Sequence, residues 1–265
     1  MSTETEHFFI VGAQRSGTTY LYHLLAEHPE IEMAAPLRPE PKFFLIDGLF
    51  ERGLDYYKSQ FYKGKPGAWL RGEKSTSYIE SERVAERIAA AFPDARLIFL
   101  LRDPIERAIS NYWFSVQNGI ETLPMDDAFM KEDERRDRYD HEKISASPFA
   151  YLQRGRYINY IEMYARHAPL ERMKIILLEE LVESARVLRH LYEFLGVATE
   201  FAPSSLGEVI NEGEKGESAL SPALRQYLVD YFAESNARLA ARLGVDLGKW
   251  WGTSIPQMGR TNDEV

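Results

Sequence analysis

Apolar residues in this chain fall in short unbroken runs separated by stretches of helical period. Residues 8–12, FFIVG, form an apolar run closed by glycine, the pattern of a buried strand that ends in a turn. From Thr18 the spacing becomes helical, with Leu21, Leu24 and Leu25 on one face, and it stops at His28 ahead of Pro29. Residues 96–101, RLIFLL, repeat the strand pattern and run into Asp103-Pro104-Ile105-Glu106. There Asp can cap a helix, Pro can take its first position and Glu completes a capping box. Residues 174–178, KIILL, give a third such strand, followed by a helix bearing Leu188, Leu191, Tyr192 and Leu195 ahead of Gly196. A late helix is expected from Ser221-Pro222, and the residues after Trp251 read as a polar, loose tail (252–265). Strands alternating with helices predict an α/β fold with a central parallel sheet flanked by helices.

The length of 265 residues suits one such domain spanning 1–265. The segment 119–147 departs from the pattern, because acids and bases alternate through Lys131 to Arg138 without a strand period. It reads as a solvated helix or loop, or else as a lid over an acceptor site.

Composition narrows the function classes. A net charge of -9 disfavours a nucleic-acid or polyanion binder, which needs a concentrated basic surface, although a local basic pocket is compatible with it. No apolar stretch is long enough to span a bilayer, and no secretory or transit segment is legible before Phe8. With no cysteine, the chain is expected in a reducing compartment, most simply the cytoplasm, and it has no thiolate nucleophile or thiolate metal site. None of the six histidines sits in a metal-ligand spacing, so no metal is expected.

Two segments carry chemistry. Gly12-Ala13-Gln14-Arg15-Ser16-Gly17-Thr18-Thr19 lies between a strand and a helix. Its glycines permit a tight turn that aims amides and a helix N-terminus at an anion, and Ser16, Thr18 and Thr19 add hydroxyl donors. The Gly12 to Gly17 spacing copies a nucleotide P-loop and predicts a P-loop-like three-layer fold, but Thr18 stands where a triphosphatase carries lysine, and the basic residue is Arg15. In the second segment, Arg102 leaves a strand at its carboxyl end and Ser110 follows about two helical turns later, on the face of Asp103 and Arg107. Both can meet one phosphate, for which an arginine fork is well shaped.

These residues resemble PAPS-dependent sulfotransferases, which use 3'-phosphoadenosine 5'-phosphosulfate. GAQRSGTT is similar to their 5'-phosphosulfate loop, and LRDPIERAISNY to their 3'-phosphate element. The closest likeness is to the domains that modify heparan sulfate, through Pro39-Glu40-Pro41-Lys42-Phe43-Phe44 and Glu73-Lys74-Ser75-Thr76-Ser77-Tyr78. The resemblance implies that Arg15, Ser16, Gly17, Thr18, Thr19, Arg102 and Ser110 bind PAPS, which leaves as PAP. It implies that Glu40 is the general base, that Lys74 holds the transferring sulfonate, and that Arg15 stabilises charge on the phosphosulfate bridge. It also implies a late cofactor loop at Lys215 and Gly216, where Glu217 replaces the family's arginine. Lys42 is either an acceptor-site residue or a surface lysine. Tyr56-Tyr57 and Tyr112-Trp113-Phe114 are candidates to line an acceptor pocket, whereas Tyr157, Tyr160 and Tyr164 have the spacing of core.

The implied reaction is in-line sulfuryl transfer to a hydroxyl or amine of a small-molecule or carbohydrate acceptor, without metal. Net acidity and the missing leader favour a small molecule over an extracellular polysaccharide. The competing reading is a P-loop kinase or other nucleotide-dependent phosphotransferase, which would need magnesium. A third is a nucleotide-binding adaptor, which would keep the anion loop without needing Glu40 and Lys74 together.

Overall fold

Along the first strand, β1 (Glu6–Gly12), successive side chains face opposite ways: Phe9 and Val11 enter one apolar layer, Phe8 and Ile10 another. The computed structural model describes residues 6–139, 146–207 and 220–251. Lys215, Gly216, Glu217 and the tail lie outside them. Within the described residues the strands are β1, β2 (Ile31–Met33), β3 (Leu70–Lys74), β4 (Arg96–Leu101) and β5 (Met173–Leu177). They form one parallel sheet in the order β2-β3-β1-β4-β5. The α/β expectation holds, with helices on both faces.

The helices in chain order are α1 (Thr18–Glu27), α2 (Asp47–Phe50), α3 (Gly53–Phe61), α4 (Glu82–Ala91), α5 (Pro104–Gln117) and α6 (Met125–Met130), then α7 (Glu132–Arg135), α8 (Tyr157–Tyr164), α9 (Leu178–Glu183), α10 (Ala185–Leu195) and α11 (Pro222–Leu243). Phe8, Ile10, Ile98 and Leu100 pack on Leu21, Leu24 and Leu25 of α1 and on Leu188, Leu191 and Leu195 of α10. On the other face Phe9, Val11, Phe99 and Leu101 meet Val84 and Ile88 of α4 and Tyr157, Ile161 and Tyr164 of α8. Of the tyrosines spaced for core, Tyr157 and Tyr164 are buried and Tyr160 is half-buried against them; Tyr57 and Tyr112 are buried as well, which leaves Phe114 as the exposed member of its group. A third cluster joins α5, α6 and α11 through Ile105, Phe129, Leu228 and Phe232.

Sheet order places the site. β1 lies between β3 and β4, with Ile10 opposite both Lys74 and Ile98. The chain leaves β1 toward β2 and leaves β4 toward β5, so the connections diverge and open a crevice at the carboxyl ends of these strands. The strand before Lys74 carries little apolar signal because it reads LRGEK. Gly72 is required there: a β-carbon on it would overlap the Phe8 ring and sit 2.5 Å from Met33 Sδ. Lys74 is the last residue of β3.

Two expectations are corrected. Asp103 does cap α5, accepting from the amides of Ile105 and Glu106, but no reciprocal bond from Glu106 closes a capping box. The Asp103 amide donates instead to Glu179 Oε1 at 2.9 Å, because α9 reaches this turn first, and Glu106 is left to pair with Arg102. The charged segment is not merely solvated. Glu121 is buried, accepting from Arg135, Tyr151 and the amides of Thr122 and Leu123, and Glu132 is buried against the amides of Leu152 and Gln153. Its charges therefore fasten the segment to the α5 side of the molecule as well as wetting its surface.

Candidate functional site

The loop after β1 is shaped by close approach on both sides. A β-carbon on Gly12 would lie 2.8 Å from Ile79, and one on Gly17 would lie 2.5 Å from Leu178 Cδ1. Gly17 also has φ +80, the left-handed region glycine occupies without strain. It precedes α1, which has no side-chain cap and no acid in its first turn, so the first amides and the positive end of the helix stay open to an anion. Ser16 is fully buried, and its Oγ makes no hydrogen bond at standard geometry. The Tyr157 hydroxyl close to it donates to the carbonyl of Arg102 at 2.9 Å. Thr18 is buried and Thr19 half-buried at the head of the helix.

Arginines converge beside this loop. Arg15 donates through Nε to Ser110 Oγ at 3.1 Å, and its guanidinium lies 5.0 Å from the centre of the Phe114 ring. Burial, and then the charges of Arg102 and Arg38, push its pKa down. Arg102 is half-buried and contacts Glu106 at 3.3 Å, a pair open enough to exchange for a ligand. Arg107, expected on the same helix face as Ser110, is instead fully buried and bonded to the carbonyl of Tyr151, so it faces the interior while Ser110 faces the crevice.

The second half of the site comes from β3 and the segment after β2. Glu40 Oε1 meets Lys74 Nζ at 2.5 Å, Glu40 Oε2 accepts from the Thr76 amide at 2.9 Å, and Thr76 Oγ1 lies 3.1 Å from both carboxylate oxygens. Lys74 is 4 % exposed and Glu40 keeps 15 % of its side chain open, so the pair is shielded with its carboxylate at the rim. The residues expected at the two ends of a donor, and the acid–lysine pair expected at the transferring group, thus surround the carboxyl ends of β1, β3 and β4.

Several residues of this site were not singled out from sequence. Thr76 grips Glu40, and Arg38 adds positive charge beside Arg15. Glu73 is fully buried among Tyr57, Ser75 and Tyr78; burial raises its pKa to about 7, against the lowering effect of the hydroxyl hydrogen bonds. Arg154, 1 % exposed, donates to Glu80, Gln14, Asn111 and the carbonyl of Ser147, tying the anion loop to α5 and to the end of the charged segment. A buried arginine has no pattern of its own; the only sequence signal was a charged residue inside an apolar stretch. Among the described residues one group, Glu82, Glu86 and His167, has ligand atoms within 4.8 Å of one another, but Glu82 is already paired with Arg166 and His167 and the group shares no residue with this site.

An anion-binding crevice lined by arginine and hydroxyl donors, at the switch point of a parallel sheet and beside a shielded acid–lysine pair, defines a group-transfer site of the P-loop-like class. A sulfotransferase domain family model matches residues 5–212, and the chain belongs to that family. A sulfotransferase from Alicyclobacillus acidocaldarius is 32% identical with a TM-score of 0.77, covering 93% of this chain and 99% of that one. The mouse heparan sulfate glucosamine 3-O-sulfotransferase 3B1 is 29% identical over 197 residues, which are 74% of this chain and 47% of that protein. Mouse sulfotransferase SULT7A1, solved in complex with PAP, shares the fold with a TM-score of 0.55 at 15% identity, covering 88% of this chain and 85% of that one. The chain spans less than half the length of the curated relatives it matches. Among the described residues no helix is long and apolar enough to cross a membrane.

Proposed function

We propose that the chain, as a single domain, transfers a sulfuryl group from PAPS to a hydroxyl or amine of a carbohydrate or small-molecule acceptor. The observation that carries this reading is the Glu40–Lys74 pair, held at 2.5 Å beside an anion crevice that contains the fully buried Ser16 and converging arginines. These residues fit a donor with phosphate at both ends. Ser16, Gly17, Thr18, Thr19 and the α1 amides would hold its 5' side, and Arg102 and Ser110 its 3'-phosphate; Lys215 and Gly216 are carried from the family resemblance alone. When bound, the donor supplies the activated sulfuryl group.

The chain's own residues do the rest. Glu40, aimed by Thr76, accepts the acceptor's proton as the acceptor oxygen or nitrogen attacks. Lys74 gives up part of its contact with Glu40 to balance the negative charge that grows on the transferring group and the leaving phosphate, and Arg15 turns from Ser110 toward the same charge. No metal is part of this reading. The family favours it over the phosphotransferase alternative, and the cysteine-free sequence supports a reducing, cytoplasmic setting.

The test is calorimetric titration with PAP, with and without magnesium. Metal-independent binding that weakens in Arg102→Ala and Ser110→Ala supports the donor assignment; binding of ATP alone, and only with magnesium, would replace it with the phosphotransferase.

A further inference from the structure

β3 ends in two consecutive charged residues that face opposite sides of the sheet. Lys74 holds the Glu40 carboxylate directly. Glu73 points the other way, into an aromatic layer, where among the described residues it accepts hydrogen bonds from three hydroxyls: Tyr57 at 2.7 Å on Oε2, Ser75 at 2.7 Å on Oε1, and Tyr78. Tyr57 in turn meets Tyr62 at 3.0 Å. A fully buried carboxyl without a cation among those partners is costly to maintain, and a hydroxyl donor set is the least it needs.

While Tyr57 bonds onward to Tyr62, the other two hydroxyls bond onward to the segment that carries Glu40. Ser75 Oγ accepts from the Lys42 amide at 2.9 Å, and the Tyr78 hydroxyl accepts from the Phe44 amide at 3.0 Å. Lys42 has φ +49, a left-handed backbone that a non-glycine residue keeps only when its surroundings hold it. Each hydroxyl spends its proton on Glu73 and offers its lone pair to the backbone. Without the carboxylate to accept those protons, either hydroxyl is free to rotate and to present its hydrogen where the amide needs an acceptor.

We propose that Glu73 is a positioning residue for sulfuryl transfer: by orienting the Ser75 and Tyr78 hydroxyls it fixes the backbone of residues 42–44 and with it the aim of Glu40, while touching neither donor nor acceptor. The inference rests on the reading of Glu40 as the base. Its consequence is that β3 supports one catalytic carboxylate from both faces of the sheet, through Lys74 on its oxygens and through Glu73 on its main chain. Misplacing a reacting group by an ångström costs about 100-fold in rate, which sets the scale of the effect.

The experiment compares Glu73→Gln, Glu73→Ala, Ser75→Ala and Glu40→Gln. It measures kcat with PAPS and the best acceptor found for the wild-type chain among glycosides, amino sugars and phenols, the Kd for PAP, and hydrogen exchange at the Lys42 and Phe44 amides. Glu73→Gln keeps an acceptor oxygen toward Ser75 and should retain kcat within about threefold. Glu73→Ala should lose roughly 10- to 100-fold in kcat, with the Kd for PAP changed less than about twofold and both amides exchanging faster. Ser75→Ala cuts one link without removing the buried acid, so it tests the idea even where Glu73→Ala does not fold; it should lose about 10-fold in kcat and deprotect Lys42 more than Phe44. Wild-type kcat in Ser75→Ala and Glu73→Ala, or equal losses in kcat and PAP affinity, would overturn the proposal while an inactive Glu40→Gln leaves the base assignment standing. Wild-type kcat in Glu40→Gln would overturn both.

Discussion

Arg15 Nε donates to Ser110 Oγ at 3.1 Å, so a residue of the loop after β1 and a residue of α5 are bonded to each other across the crevice. The same two side chains are proposed to serve opposite ends of the donor. In the free chain each therefore satisfies the other, and donor binding has to exchange this neutral-acceptor hydrogen bond for charge-assisted ones to phosphate.

Arg102→Ala should weaken PAP binding by about 10- to 100-fold, because a charge-assisted bond to phosphate is removed and Glu106 is left beside the site. Ser110→Ala removes one neutral donor and frees Arg15, so its loss should be smaller, about 3- to 10-fold. Titration of both variants against PAP checks the ranking, and a larger loss in Ser110→Ala would contradict it.

Glu40→Gln should lower kcat by about 100- to 10,000-fold, the range of general-base catalysis, with PAP affinity nearly unchanged. Lys74→Ala should lower kcat as well, and it should also lower stability, since it leaves Glu40 facing a cavity without its cation. Rate measurements paired with thermal melts separate the two variants.

Stability should fall as pH rises through the range set by Glu73. Its folded pKa of about 7 lies above its ordinary value of 4.5, so between those values the unfolded chain releases the proton that the folded chain keeps. A shift of that size amounts to roughly 3 kcal/mol, present in full below the lower value and lost by the time pH passes the upper one. Glu73→Gln has no such proton to release. Urea denaturation at pH 5 and pH 8 should therefore show the variant gaining on the wild type at the higher pH, and parallel curves would contradict the assignment.

Gly72→Ala should destabilise the sheet by about 1–3 kcal/mol or abolish folding, since the new methyl overlaps Phe8 of β1 and crowds Met33 of β2. Gly67→Ala is a useful contrast. Its β-carbon has one neighbour at 4.0 Å, and its cost should come from φ +82 alone. Thermal melts of the two variants measure the difference.

Legibility followed the physics of each element. β1, β4 and β5 were readable because a strand buried on both faces is a continuous apolar run, and α1 because its leucines repeat on one face. β3 was readable only through its last residues, since a central strand that must admit Phe8 and Met33 carries glycine where an apolar side chain is expected. In the site, Arg15, Arg102, Ser110, Glu40 and Lys74 stood out because each sits in a turn or strand end with a recognisable motif. Glu73 belongs to the Glu-Lys-Ser element, yet its burial depends on Tyr57 and Tyr62 arriving from another element of the chain. Arg154 and Gln14 were silent for the same reason: their bond spans most of the sequence.

The sheet order also governs how the molecule assembles in time. Among the described strands β1 comes first in chain order yet lies in the middle of the sheet, and both of its neighbours are encoded far downstream. A nascent chain thus carries an apolar ribbon without partners until β3 and then β4 have been synthesised. Distant parallel pairing of this kind slows folding and leaves sticky edges exposed. Refolding from denaturant should accordingly be slow and lose yield steeply as protein concentration rises, with a chaperone that sequesters the early ribbon restoring it.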